Sequence, residues 1–170
     1  HFGVGKNMVA AIRFWAQVAG ILVTDGKELS TTEFGQKLLR PEGLDPYLEN
    51  ASSLWKIHWD IASNPKHTAT YWLFNIFNEP NFDRDTVLLR LSEFILQCGW
   101  KVPGEKTLIN DINVLLANYV PSVPKRGPSE EAFNSPLIEL GLIRRHSNGK
   151  YALNWGRKPS LSNGVFLYSV

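Results

Sequence analysis

The stretch "GVGKNMVAAIRFWAQVAGIL", residues 3–22, decides how the rest of the chain is read. A lysine between glycine and a helix start has the look of a phosphate-binding loop. Such a loop needs an earlier glycine at fixed spacing, a Ser or Thr directly after the lysine, and a preceding strand. Position 7 is Asn7, which does not replace a magnesium-ligating hydroxyl, and no strand precedes it. Gly3 and Gly5 instead suit a tight turn between two helices. Behind that turn Met8, Ile12, Trp15 and Ala19 recur at helical spacing, and Gly20 is the expected stop. Lys6, Ala10, Arg13 and Gln17 fall on another side. Lys6 and Asn7 in the first helical turn can meet a phosphate or a base edge, and Arg13 and Gln17 can make paired hydrogen bonds to purines.

The stretch returns later in the chain. Set against "GEKTLINDINVLLANYV", residues 104–120, Lys6 matches Lys106, Met8 matches Leu108, Ile12 matches Ile112, Trp15 matches Leu115 and Ala19 matches Tyr119. The first copy runs into "GIL" and a hairpin expected to turn at Asp25-Gly26. The second, after a Pro-rich and charged loop at 121–130, runs into "GLI" and a hairpin turning at Ser147-Asn148-Gly149. A helix, an apolar-glycine-apolar step and a two-stranded flap form the layout of a winged helix-turn-helix unit, and two copies reinforce each other.

Between the copies the pattern is helical. "STTE" (Ser30–Glu33) reads as a capping box opening a helix that ends before Pro41. Pro46 is expected in a first helical turn after Asp45. A helix closed by Asn64-Pro65, another stopped by Pro80, and a third capped by Asp83 and ended by Gly99 follow. The expected architecture is mainly α: tandem winged-helix-like units with small β-hairpin wings and a helical middle. Residues 1–40 form the first unit, with its N-terminal part missing. Residues 41–82 form an aromatic-rich middle, 83–158 the second unit, and 159–170 the start of a further C-terminal element.

Composition narrows the classes of function. Of 170 residues 44% are hydrophobic, enough for a proper core, and the net charge is only +2. The charge is uneven. Residues 1–40 carry five Lys/Arg against three Asp/Glu, residues 41–119 six against ten, and residues 120–170 seven against three. Basic ends around an acidic middle suit a polyanion partner, and a mixed solvated surface gives the same count. One cysteine, Cys98, excludes an internal disulfide and any multi-cysteine metal site, and its helical pattern reads as a buried structural thiol. No apolar run reaches membrane-spanning length and no signal peptide is visible, so a reducing, cytoplasmic setting is expected.

The candidate DNA contacts are Lys6, Asn7, Arg13 and Gln17 in the first unit. In the second they are Lys106 and Asn110, with Asn113 beside them, then Arg144, Arg145 and Lys150 flanking the hairpin turn, and Arg157 and Lys158 beyond it. Glu105 and Asp111 stand close to Lys106 and would repel phosphate. Glu79, Asp83, Asp85 and Asp111 are the weak catalytic candidates, able to gather Mg²⁺ or Mn²⁺ if their side chains converge. Helix capping already explains Asp83 and Asp85. His58 shares an apolar stripe with Leu54 and Ile61 and reads as a core histidine. Trp15, Trp55, Trp59 and Trp72 read as core, and Trp100 and Trp155 as the exposed stacking platforms.

The blocks "GVGKNMVAAIRFWAQVAGI", "EFGQKLL", "DPYLENASSLWKIHWDIASNP", "TYWLFNIFNE" and "SPLIELGLI", in that order, resemble a bacterial family catalogued as a domain of unknown function. It is the nickase-component family of the Ssp DNA phosphorothioation systems, which act in anti-phage defence. The resemblance covers essentially the whole chain. It implies a partner in double-stranded DNA and in sulfur-transfer and ATP-using modification proteins, with one strand cut so that sulfur can replace a phosphate oxygen. It assigns no catalytic residue here, and family members carry further sequence on both sides of the matched blocks. Two other readings fit the residues: a non-catalytic adaptor that binds DNA or docks proteins, and a winged-helix transcription regulator.

Overall fold

The computed structural model describes residues 6–26, 28–121 and 135–168. In chain order its elements are α1 (Lys6–Val18), β1 (Leu22–Asp25), β2 (Glu28–Thr31), α2 (Glu33–Leu39), α3 (Ala51–Ala62), α4 (Thr68–Asn75), α5 (Arg84–Gln97), α6 (Glu105–Tyr119), β3 (Ile143–Arg145), β4 (Tyr151–Leu153) and α7 (Asn163–Tyr168). A 3-10 helix, Pro136–Leu140, precedes β3. The fold is thus mainly α with two small antiparallel hairpins. The chain forms two compact units, one reaching to Asn64 and including the segment from Ser160, the other Pro65–Pro159.

In the first unit α1 turns at Gly20, whose φ of +67° a side chain would resist, into the β1–β2 hairpin. Pairing runs from Leu22↔Thr31 to Asp25↔Glu28. Asp25 is therefore the last paired residue, and the turn begins at Gly26, one residue later than the expected Asp25-Gly26. The Ser30 capping box does not form either. Ser30 and Thr31 belong to β2, and Thr32 becomes the cap, with extended backbone and its Oγ1 accepting from Gly35 N at 2.9 Å. The same hydroxyl donates to Gly20 O at 2.6 Å, closing the base of the hairpin.

Pro46 starts no helix. The Asp45 carboxylate accepts from the backbone N–H groups of Glu49 (2.9 Å) and Asn50 (3.0 Å), which holds residues 45–50 as a closed turn. Asn50 then caps α3 through Ser52 N. The buried face of α3 carries Leu54, Trp55, Ile57, His58 and Ile61, while Trp59, expected inside, points out and is 41% exposed. One turn earlier, Trp55 Nε1 donates to Ser160 Oγ at 3.1 Å, three residues before α7.

In the second unit α4 ends at Asn75, well before Pro80. The reason is aromatic packing. Phe77 leaves the helix to place its ring 4.9 Å from Trp72 and 5.2 Å from Phe82. Phe82 then pairs with Tyr151, N to O at 2.9 Å and 2.7 Å in the two directions, so a one-residue strand lies beside β4. Asp83 caps α5 through Thr86 N at 2.9 Å, and Val87, Leu91 and Ile95 fill the core. Cys98 does not continue that stripe. It sits in the C-terminal turn before Gly99 (φ +71°) and is exposed. α6 buries Leu108, Ile112, Leu115, Leu116 and Tyr119 against its neighbours. The β3–β4 turn forms as expected, with His146 N bonding Lys150 O at 2.8 Å and Lys150 N bonding Asn148 Oδ1 at 3.0 Å.

Candidate nucleic-acid interface

With five residues of α6 facing the core, helical spacing puts Lys106, Asn110 and Asn113 on the opposite side, and all three are exposed. This face carries one cation and two primary amides, groups able to donate to phosphate and base edges. Glu105 and Asp111 are also exposed. Partial burial raises the Asp111 carboxyl above its ordinary range.

The hairpin after α6 is more basic. Arg144 pairs with Ala152 across the ladder, opposite in face to the buried Ile143 and Leu153, so alternation sends it outward. Arg145 and Lys150 are exposed near the turn, and Arg157 is exposed beyond β4. Lys158 is brought to the same place. Its Nζ donates to Asn154 O, and burial together with the nearby Arg144 charge lowers its pKa. A groove of about 860 Å³ runs beside the strand, lined by Tyr119, Ile138, Arg144, Arg145 and His146. Trp155, two residues before Arg157 in the chain, is 63% exposed.

In the first unit Arg13 is exposed on α1. Gln17 is half-buried and donates through Nε2 to Thr24 Oγ1, tying α1 to β1. Gly3 and Gly5, and the side chains of Lys6 and Asn7, lie outside the described residues, as does most of the Pro-rich loop.

The four acidic candidates all lie in the second unit and carry different structural duties. Glu79 Oε1 accepts from Arg90 at 3.0 Å, and Arg90 also reaches Glu93 at 3.1 Å. Asp83 accepts from both the backbone and the hydroxyl of Thr86, and these bonds hold its carboxyl below the ordinary range, with Lys150 adding to the effect. Asp85 occupies the first turn of α5 and Asp111 the flank of α6. Among the described residues no three His, Cys, Asp or Glu gather as a metal site. His58 is only 8% exposed, and burial lowers its pKa to about 4, as a core histidine requires.

Two features escaped the sequence reading. Phe82, which pins the hairpin, left no alternation to detect, being a strand of one residue. Arg84, whose guanidinium lies 5.7 Å from the Tyr151 ring centre, stood in a helix start that explained itself by capping.

The class defined here is a helical protein whose second unit presents a polar helix face and a basic hairpin. The chain belongs to the DUF4007 family of proteins of unknown function, whose model matches residues 1–170. Two solved structures are similar to it. A magnesium-ion-bound crystal structure of SspB superposes with a TM-score of 0.83 at 26% identity, covering 98% of this chain and 53% of that one. A second SspB crystal structure gives 0.81 and 27%, covering 98% and 52%. The expected likeness to the SspB family therefore holds, and the chain spans about half the length of those SspB chains. No curated protein matches it. Among the described residues no helix is long and apolar enough to cross a membrane.

Proposed function

We propose that this chain is a DNA-binding part of a phosphorothioation-system protein, and that its second unit grips duplex DNA as a winged helix. One observation carries the reading. The elements run α4, the Phe82 strand, α5, α6, the 3-10 helix, β3, β4, and Phe82 bonds to β4 rather than β3. Three helices with a strand before the second, that strand pairing with the far arm of a hairpin after the third, support the winged-helix reading. In such units the third helix enters the major groove and the hairpin meets the backbone. On this reading Lys106, Asn110 and Asn113 meet base edges and nearby phosphates. Arg144, Arg145 and Lys150, with Arg157 and Lys158, take the phosphates. The first unit offers Arg13, with Lys6, Asn7 and Gln17 on the same helix.

The finer reading rests on the likeness to SspB. The whole protein nicks one strand of double-stranded DNA to allow sulfur insertion, alongside sulfur-transfer and ATP-using partners, as part of anti-phage defence. Mg²⁺ would supply the activation of water in such chemistry. Glu79, Asp83, Asp85 and Asp111 do not fit as its holders, because the first is in an ion pair, the second is a helix cap, and no cluster forms among the described residues. No metal-dependent step is therefore assigned to them. The same observation favours a second reading, in which this half is a non-catalytic DNA-binding adaptor.

Salt titration of duplex binding by the full-length protein tests the wing. R144A/R145A/K150A should weaken binding and reduce the slope of log K against log salt by about 0.9 per lost phosphate contact. Lys6→Ala with Arg13→Ala should reduce it by about one unit per contact in the first unit. Unchanged affinity and slope would remove that surface from the interface. Supercoiled plasmid incubated with the same protein and Mg²⁺ or Mn²⁺ separates the finer readings. Open-circle product supports the nickase, and binding without nicking in either metal supports the adaptor.

A further inference from the structure

The second unit carries an apolar surface of opposite electrostatic character to the wing. On α5 the residues Asp85, Leu89, Ser92 and Leu96 follow one another at helical spacing along a side that the core stripe of Val87, Leu91 and Ile95 does not use. Leu89 is 58% and Leu96 64% exposed. Beside them lies a groove of about 350 Å³, floored by Leu88, Leu108, Val102 and Pro103. Its two charged lining residues are Asp85 and Glu105, one in the first turn of each flanking helix. No Lys, Arg or His lines it. Lys101 and Lys106 adjoin the lining in sequence; on α5, Arg84 beside Asp85 has its guanidinium 5.7 Å from the Tyr151 ring centre, and Arg90 is bonded to Glu79 and Glu93.

We infer that this groove docks an amphipathic helix of another protein, one that carries Leu- or Ile-like anchors flanked by Lys or Arg. Two exposed leucines seven residues apart span about 10 Å, two turns, which is the spacing a partner helix meets with its own anchors. The carboxylates at the groove repel nucleic acid and select a basic flank. The inference uses the outer side of α5 together with Glu105 and Leu108 of α6, whereas the DNA reading uses Lys106, Asn110 and Asn113 of α6, so the test measures peptide and duplex binding separately.

The test uses the full-length protein and three fluorescent synthetic peptides: a Leu/Lys amphipathic helix, its scrambled sequence, and a Leu/Glu helix of the same pattern. Anisotropy titration should give saturable binding of the Leu/Lys helix at least about tenfold tighter than either control. L89S/L96S should weaken it by about tenfold or more while duplex DNA affinity stays unchanged, because both leucines are exposed and neither is among the residues proposed to contact DNA. D85K/E105K should shift preference toward the Leu/Glu helix. Equal binding of the three peptides, or no effect of L89S/L96S, would overturn the inference. So would a dimer in sedimentation that L89S/L96S dissociates, because the face would then belong to a second copy of the protein.

Discussion

α1 with its hairpin and α6 with its hairpin were written in the same pattern and fold into different situations. Ile112 is 2% exposed, and its counterpart Ile12 is 57% exposed. Tyr119 and Ala19 are both buried, and a left-handed glycine precedes each hairpin: Gly20 at φ +67° after α1, and Gly141 at +58° after the 3-10 helix that follows α6. The difference lies in what surrounds each helix. α6 is packed by α4, α5 and the 3-10 helix, and its hairpin is held by the Phe82 bridge. α1 packs chiefly on β1, and its hairpin is exposed along nearly every residue. Periodicity thus dictates that a helix forms and which residues share a side. It does not say which side is covered.

The largest predicted effect puts this comparison at risk directly. Ile112→Ala should cost about 2–5 kcal/mol of stability, the usual range for emptying a packed aliphatic site. Ile12→Ala should cost about 0.5 kcal/mol or less, as exposed substitutions do. Urea denaturation of the two variants decides it. Equal losses would mean that the apolar side of α1 is as well covered as that of α6, and the contrast would fail.

The long, strongly patterned segments were legible: α3, α5 and α6, the Asp83 cap, and the Ser147-Asn148-Gly149 turn each had several residues agreeing. The misreadings have a common physical source, a tertiary contact outvoting a local signal. "STTE" offers two hydroxyls before Thr32, and strand pairing takes both. "TYWLFNIFNE" is helical by propensity, yet Phe77 gains more by joining Trp72 and Phe82 than by continuing the turn. Cys98 fits the α5 stripe by count, but the helix ends first. The basic residues were legible as a charge excess. That Arg144 and Lys158 would meet was not, because their approach depends on the loop returning from β4.

Protonation offers a second probe of the first unit. His58 is buried against Trp55, ring centres 5.8 Å apart, and its folded pKa of about 4 lies below the ordinary 6.5. The unfolded chain binds the proton first as pH falls, so this stabilising contribution is present above about 6.5 and is lost between there and about 4. With a folded pKa of about 4, the loss between about pH 7 and about pH 5 is about 2 kcal/mol. Denaturation of wild type and His58→Leu at both pH values should show that increment in the wild type alone. A pH dependence retained by the leucine variant would move its origin to other groups.

The smallest effect probes how the first hairpin is held, since it has no counterpart to the Phe82 bridge among the described residues. Its anchors are Thr32 and the close approach of α2 at Gly35, where an added Cβ would lie 2.3 Å from the Ile21 carbonyl oxygen. That oxygen is backbone and accepts from Thr32 N at 2.9 Å, so it yields only by opening the hairpin base. Gly35→Ala gains roughly 1 kcal/mol in helix propensity. Overpacking costs about 1–3 kcal/mol and more where the clash is with backbone, so a net loss of about 1–2 kcal/mol is expected. Amide exchange should show where the loss falls. Faster exchange across β1–β2 with β3–β4 unchanged would mark the first hairpin as separately anchored. A variant as stable as wild type would mean that α2 can withdraw from Ile21, leaving Thr32 to hold the hairpin.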